Sequence, residues 1–244
     1  MDWHRRYLQQ AGWTHNLRAY LFKQVGLNET SRVLEVGCGT GAILSGVPEH
    51  PFLHGLDIDP EALAQCRAHI PTASLVRGNA LHLPYQDKTF DVLFCHFLLL
   101  WVDDPLQVLL EMRRLAKTGA SILAFAEPDY TGRIDAPPEL APLGRWQAES
   151  LRRQGADPGI GSRLADLFFR AEIELVETGT IQGAEHEPSM EDWETEWAVL
   201  ESDLAGFVPD KDLRKMKRLD QEARARGERV LQVPKYFAWG RAPG

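Results

Sequence analysis

The sequence predicts a doubly wound α/β fold: a mostly parallel seven-stranded sheet with helices on both faces and helical insertions forming a lid. Three observations carry this expectation. From Ser31 onward, short apolar runs alternate with amphipathic stretches, the rhythm of a parallel sheet covered on both sides. The first of those runs leads straight into the glycine-rich segment Gly37-Cys38-Gly39-Thr40-Gly41. The second ends on an acidic residue, Asp57. Strand, glycine turn and a following acid are the opening of a ligand-binding βαβ unit.

Taken in order, the elements read as follows. Trp13, Leu17, Tyr20, Leu21 and Val25 recur at helical spacing and Gly26 closes the run, so residues 1–28 form an amphipathic helical cap. Strands are predicted at 32–36, 52–57, 73–77, 90–95, 120–126, 173–181 and 230–239. Helices are predicted at 40–46, 60–69, 105–117, 139–154, 161–170, 191–205 and 211–226. Asp59-Pro60 supplies an N-cap and a first-turn proline. Lys117-Thr118-Gly119 is the stop before the fifth strand, with Gly119 suited to a left-handed conformation. The chain is thus one domain with a binding core at 31–127 and a last strand within 229–240. Two stretches break the rhythm: 128–157, with Pro128, Pro137, Pro138 and Pro142, and 183–228. Insertions at the carboxyl edge of such a sheet build substrate lids.

The bulk properties narrow the partners. Among 244 residues, 44% are apolar and 25% charged, a globular balance, and the formal charge of −8 disfavours a polyanionic partner. Eight Lys or Arg fall between Lys211 and Arg229, but Asp212, Asp220, Glu222 and Glu228 interleave with them, as on a solvated helix face. No apolar run is long enough to span a bilayer or resembles a leader peptide, and the three cysteines are scattered. The expectation is a cytoplasmic protein acting on a small molecule, without nucleic-acid or membrane partners.

The glycine loop carries the chemistry. Glycines are required where the backbone turns tightly and passes close to a ligand. Asp57, twenty residues beyond Gly37, can accept both hydroxyls of a ribose held over the loop. The segment Gly37 to Ala42 also satisfies the dinucleotide fingerprint, so a nicotinamide-type oxidoreductase stays open as an alternative. Glu35 argues the other way. A carboxylate two residues before the first glycine suits a cationic ligand and repels a pyrophosphate. Gly41 is read as widening the loop for an amino-acid tail instead of packing helix on strand.

Glu35-Val36-Gly37-Cys38-Gly39-Thr40-Gly41 followed by Gly55-Leu56-Asp57-Ile58-Asp59-Pro60 resembles the first two signature motifs of class I S-adenosylmethionine-dependent methyltransferases. The similarity continues through Arg77-Gly78-Asn79-Ala80-Leu81-His82-Leu83-Pro84-Tyr85, Thr89-Phe90-Asp91-Val92-Leu93-Phe94-Cys95 and Leu115-Ala116-Lys117-Thr118-Gly119-Ala120. It is strongest to the small-molecule "type 11" branch and implies a Rossmann-like fold with S-adenosylmethionine as cofactor and S-adenosylhomocysteine as product. The resemblance implies that Gly37, Cys38, Gly39 and Gly41 approach the cofactor's amino-acid part and that Glu35 holds its ammonium. It further implies that Asp57 binds the ribose, Ile58 packs on adenine, and Asn79, Ala80 and Leu81 read the adenine edge. Cys95, placed just after the fourth strand, would offer its carbonyl to the ammonium. The family usually carries Asp where this chain has Asn79, which predicts weaker discrimination at the adenine amino group.

Methyl transfer is an in-line displacement that rewards orientation above all, with a general base required only for acceptors that must lose a proton. Candidates at the ends of the fourth and fifth strands are His96, Glu127 and Asp129, with Tyr130 beside them. His96 has the best intrinsic pKa for a base. Trp193, Trp197, Leu200 and Leu204 form one helical stripe, followed by Phe207. The stripe either docks the second insertion or lines an apolar acceptor pocket. No metal site is expected, since His50 and His54 are separated by Pro51 and no Cys-x-x-Cys occurs. A protein that keeps the cofactor pocket for another purpose remains a third reading.

Overall fold

The structure, a computed structural model, describes residues 3–47, 52–181 and 189–244. Its centre is a seven-stranded sheet ordered β3-β2-β1-β4-β5-β9-β7. The strands are β1 (Val33–Val36), β2 (Leu53–Asp57), β3 (Ser74–Arg77), β4 (Phe90–His96), β5 (Ala116–Pro128), β7 (Glu174–Ile181) and β9 (Lys235–Arg241). The first five run parallel, and β9 is antiparallel to both β5 and β7. The doubly wound α/β prediction therefore holds, with the last strand inserted between the fifth and the sixth.

Both faces of the sheet are covered. On one side α2 (His15–Gln24) and α3 (Pro60–His69) bury Leu21, Phe22, Leu63 and Cys66 against Val33, Phe94 and Phe125. On the other, α4 (Pro105–Leu115) and α6 (Leu164–Arg170) cover Leu34, Leu93 and Ile122. Helix α4 shows why these residues fold as they do. Asp104 accepts the Gln107 N–H at 3.0 Å and Pro105 sits in the first turn. Val108, Leu109, Met112 and Leu115 then form one buried stripe, each such side chain contributing about 1.5–3 kcal/mol by leaving water. The Asp59 cap of α3 is also as expected, accepting the Glu61 N–H at 2.8 Å.

Four predicted elements differ. The helix expected at 40–46 is only a 3-10 turn, Leu44–Gly46. Gly39 and Gly41 sit at φ +50° and +84°, outside helical space, and Val47, preceding Pro48, is extended as pre-proline residues are. The N-terminal helix is two, α1 (Trp3–Trp13) and α2, parted at Thr14, whose ψ of 5° departs from the helix. The strand predicted at 230–239 divides at Pro234, which lacks an N–H for the ladder. Its first part, β8 (Val230–Gln232), pairs instead with an unexpected strand, β6 (Ile134–Ala136), inside the first insertion. Gly119 is left-handed at φ +74°, but it lies in the bent start of β5, after α4 has already ended at Leu115.

The insertions form a third cluster. Helices α5 (Ala141–Arg153), α7 (Met190–Leu204) and α8 (Asp210–Ala225) enclose Leu140, Leu143, Trp193, Trp197, Leu200, Leu204 and Leu213. Residues 183–188 of the second insertion, and His50 with Pro51, lie outside the described residues. Among those described, no helix is long and apolar enough to cross a membrane.

Candidate active site

The predicted binding residues lie in or just after the carboxyl-terminal parts of β1, β2, β3 and β4. The turn after β1 is held by β2, because the Gly37 and Cys38 N–H groups both donate to the Leu56 carbonyl, at 2.8 and 2.9 Å. Gly37 has φ +75° and its α-carbon faces Leu98; a Cβ there would lie 2.7 Å from the Leu98 Cδ1. Only glycine suits this approach. Asp57, last in β2, accepts the Gly39 N–H at 2.7 Å through one oxygen and the Asp59 N–H at 2.9 Å through the other. These bonds fix the carboxylate beside the loop and leave further lone pairs for a ligand. Ile58 follows with its side chain 62% exposed, an apolar surface next to a fixed acid.

Gly41 behaves differently from its reading in the sequence. A Cβ there would lie 2.8 Å from Cys66 Sγ and 3.0 Å from Ile70 Cδ1. It packs the loop on α3 and does not widen the groove. Cys38 likewise turns its thiol inward, where a Cβ on Gly55 would meet it at 2.9 Å, so only its backbone borders the groove.

Glu35 is the exception in a strand buried at all four positions. Burial pushes its carboxyl well above the usual range, opposed by the Arg18 guanidinium and by a hydrogen bond from the Leu44 N–H. Its Oε2 is buried without a hydrogen-bond partner among the described residues. Arg18 is buried too, donating to Thr14 Oγ1 at 3.1 Å and to the Ala11 carbonyl at 2.9 Å.

At the far end of the groove, Asn79 is exposed and closes an Asx turn, its Oδ1 accepting the Leu81 N–H at 2.9 Å. Its amide oxygen is therefore partly committed to the chain itself. Ala80 is buried and Leu81 half-buried, forming an apolar floor. Cys95 lies within β4, opposite Ala124, and not beyond the strand. Its thiol is fully buried 4.0 Å from Glu127 Oε1 and is pushed up by burial, so it packs and does not react.

The three base candidates are each engaged by their surroundings. The imidazole of His96 contacts Thr14 Oγ1 at 3.2 Å, and burial beside Arg18 pushes its pKa down to about 3. It is too weak a base for the task. Glu127 is fully buried and accepts the Leu98 and Leu99 N–H groups at 3.1 Å each, with a further bond from Leu100. It clamps the loop after β4 and does not face an acceptor. Asp129 caps the next turn, accepting from Thr131 and Gly132 at 2.9 and 3.2 Å. Both roles are structural, for a carboxylate near a strand end is the best available partner for unpaired N–H groups.

Trp193 and Trp197 also turn inward. Both indoles donate to Asp220, Trp197 at 2.8 Å, and Asp220 pairs with Arg229, which meets Asp135 at 2.8 Å. The stripe docks the second insertion, as one of its two readings had it.

Several residues that sequence reasoning missed do border the groove. Helix α1 lies across it: Tyr7 Cε2 is 3.6 Å from the Cβ position of Gly39, and His4 Nδ1 bonds Thr40 Oγ1 at 2.8 Å while stacking on His69 at 3.9 Å. Phe97, leaving β4 at φ +52°, approaches Trp13 at 6.4 Å. A non-glycine residue in that region stores strain of the kind concentrated at working sites, and nothing in the local sequence signals it.

Known proteins resemble this chain in sequence and in fold. A family profile described as a methyltransferase domain matches residues 34–124. The demethylmenaquinone methyltransferase of Shouchella clausii is 41% identical over 112 residues, covering 42% of this chain and 48% of its own length. That of Bacillus cereus is 33% identical over 170 residues, covering 60% of this chain and 71% of its own. The chain spans about half the length of the first curated relatives it matches. Among solved structures, a SAM-dependent methyltransferase from Methanosarcina mazei superposes with TM-score 0.56 at 15% identity, over 89% of this chain and 94% of that one. The [4+2]-cyclase SpnF does so at 0.60 and 18%, over 94% and 81%. By fold, by motif order and by these relatives, the chain belongs to the class I S-adenosylmethionine-dependent methyltransferases.

Proposed function

We propose that this chain transfers the methyl group of S-adenosylmethionine to a small organic acceptor. The observation that carries the reading is the Glu35–Gly39–Asp57 arrangement. Asp57 is pinned by the Gly39 and Asp59 N–H groups in position for a ribose. The buried, unpartnered Oε2 of Glu35 is the acceptor that an ammonium group, direct or through water, would satisfy. Ile58 offers the apolar surface for a base, and the Asn79–Leu81 turn its edge. The residues present thus fit the cofactor at both its charged and its flat ends.

When bound, the cofactor supplies an electrophilic methyl on a sulfonium. The chain's contribution is to hold the ligands and exclude water, with Tyr7 and His4 of α1 closing over the loop. No base is drawn from His96, Glu127 or Asp129: His96 and Glu127 are held by burial and hydrogen bonds, and one Asp129 oxygen caps the following turn. A quinol-like or other aromatic acceptor is the natural first choice to assay, given that the relatives named above act on demethylmenaquinone.

A second reading keeps the cofactor pocket without methyl transfer, and the similarity in fold to a [4+2]-cyclase supports carrying it. Calorimetric titration with S-adenosylmethionine, S-adenosylhomocysteine and NAD tests the cofactor. Release of S-adenosylhomocysteine over a panel of aromatic acceptors tests the reaction. Binding of NAD alone would refute the proposal, while tight S-adenosylmethionine binding with no turnover on any acceptor would favour the second reading.

A further inference from the structure

Resting on that reading, we infer that the acceptor is held as an anion, a carboxylate, phenolate or enolate on a flat apolar body, with Lys235 as its counter-ion. Lys235 is the first residue of β9, opposite Pro128 of β5 and Ile181 of β7. Because β9 runs antiparallel, its first residue lies at the same edge of the sheet as the ends of β4 and β5, where the acceptor must approach.

The Lys235 ammonium is half-buried, 4.8 Å from the ring centroid of Trp13, and donates only a long bond of 3.4 Å to the Val233 carbonyl. Among the described residues no carboxylate pairs with it. The adjoining cation is in the opposite condition. Arg6 is buried and pairs through two nitrogens with Glu196. One positive charge here is thus neutralised and the other is left over. Glu196 also acts on Lys235, but from beyond ion-pair distance and while paired with Arg6, and a cation so held is costly to keep out of water, so burial lowers the Lys235 pKa.

Tyr130, just past β5, completes the setting. Its hydroxyl has no hydrogen-bond partner among the described residues and burial pushes its pKa up to about 12, so it stays a donor. Trp13, over whose ring the Lys235 ammonium lies, and Phe97, 6.4 Å from Trp13, form an aromatic wall. A surplus cation, a free donor and flat apolar sides match an anionic group on an aromatic or conjugated body.

The chemistry closes on itself. An acceptor that enters deprotonated needs no base, which accounts for a site in which His96, Glu127 and Asp129 are all otherwise engaged. As the acceptor atom bonds to the methyl carbon, the carbon–sulfur bond breaks and its electron pair stays on sulfur. The acceptor's negative charge and the sulfonium's positive charge vanish together. A product with no charge at that atom no longer pairs with Lys235, which favours its release.

The test uses two probes of one shape, 2-naphthoate and 2-naphthamide, titrated into the protein saturated with S-adenosylhomocysteine. The wild type is expected to bind the anion about tenfold or more tightly than the amide. Lys235→Met should lose that preference while binding S-adenosylhomocysteine unchanged, and Lys235→Arg should keep it. Removal of an unpaired ammonium should not lower the melting temperature, which guards against a folding artefact. A wild type that binds the anion no better than the amide, or a Lys235→Met that retains the preference, overturns the inference. Failure to bind S-adenosylhomocysteine at all would instead strike the proposed function.

Discussion

The Asp57 carboxylate reaches across from the end of β2 to accept the backbone N–H of Gly39 at 2.7 Å, so the acid and the glycine loop form one rigid unit. Asp57→Ala should therefore lose a ribose contact and loosen the loop together. S-adenosylhomocysteine affinity is expected to fall by on the order of 1.5–3 kcal/mol, as for hydrogen bonds to a charged group. Asp57→Asn, which can still accept the Gly39 N–H, should lose less. Calorimetry on the pair decides it, and an unaffected Asp57→Ala would remove Asp57 from the binding site.

Tyr7 lies over Gly39 and is held there by α1. Tyr7→Ala should uncover the groove and speed S-adenosylhomocysteine dissociation, with a smaller change in association, while Tyr7→Phe should behave as wild type. Stopped-flow displacement measures both rates. Identical dissociation from all three proteins would mean that α1 does not cover the bound ligand.

Two buried groups give opposed pH dependences. His96 titrates at about 3 in the folded chain against an ordinary value of 6.5. Between those values the unfolded chain binds the extra proton, so this group makes stability rise with pH. Glu127 titrates at about 7 against an ordinary 4.5. Between those values the folded chain keeps the proton, so stability falls as pH rises. From 4.5 to 6.5 the two slopes oppose one another. Glu127→Gln should expose the rise and His96→Asn the fall, read as melting temperature against pH. Superimposable curves for both variants and the wild type would show that neither group is perturbed.

Asp220 accepts from two indoles and pairs with Arg229 inside the insertion cluster. Asp220→Ala leaves three donors buried without a partner and should cost about 3–5 kcal/mol, as when one member of a buried pair is removed. Cofactor affinity at a temperature where the variant is folded should change little, because the cluster meets the groove only through α1, held by Arg6–Glu196 and Gln9–Asp192 on α7 and not by Asp220. Chemical denaturation and calorimetry on one sample separate the two effects.

What could be read in the sequence was what local backbone physics dictates. The turn at Gly37, the cap at Asp59 and the stripe of α4 each follow from residues within a few positions of one another, and each is present. The edge at which the cofactor is proposed to bind was legible for the same reason. The surroundings of the base candidates were not legible, because an intrinsic pKa carries no information about burial, and the half-buried His96 and fully buried Glu127 are enclosed by elements far away in the chain. Tyr7, Arg18 and Lys235 were invisible to pattern reasoning, since each reaches the groove only through packing of the termini onto the central sheet. Gly41 shows the limit from the other side: a motif glycine can serve helix packing while its neighbours serve a ligand.

The single 3-10 turn at Leu44–Gly46, where a full helix would usually follow such a loop, has an electrical consequence. A long helix would aim the summed dipoles of its peptide groups at the loop as a partial positive charge, and that field attracts phosphate. With three residues there is almost nothing to sum. The field over the groove is then left to the Asp57 carboxylate, since burial drives Glu35 toward its neutral form. A diphosphate would meet repulsion from Asp57 and no compensating pole, whereas an ammonium would find in the unpartnered Glu35 Oε2 an acid that can ionise to pair with it. Truncation of one helix thus tunes the groove toward cations before any side chain makes contact.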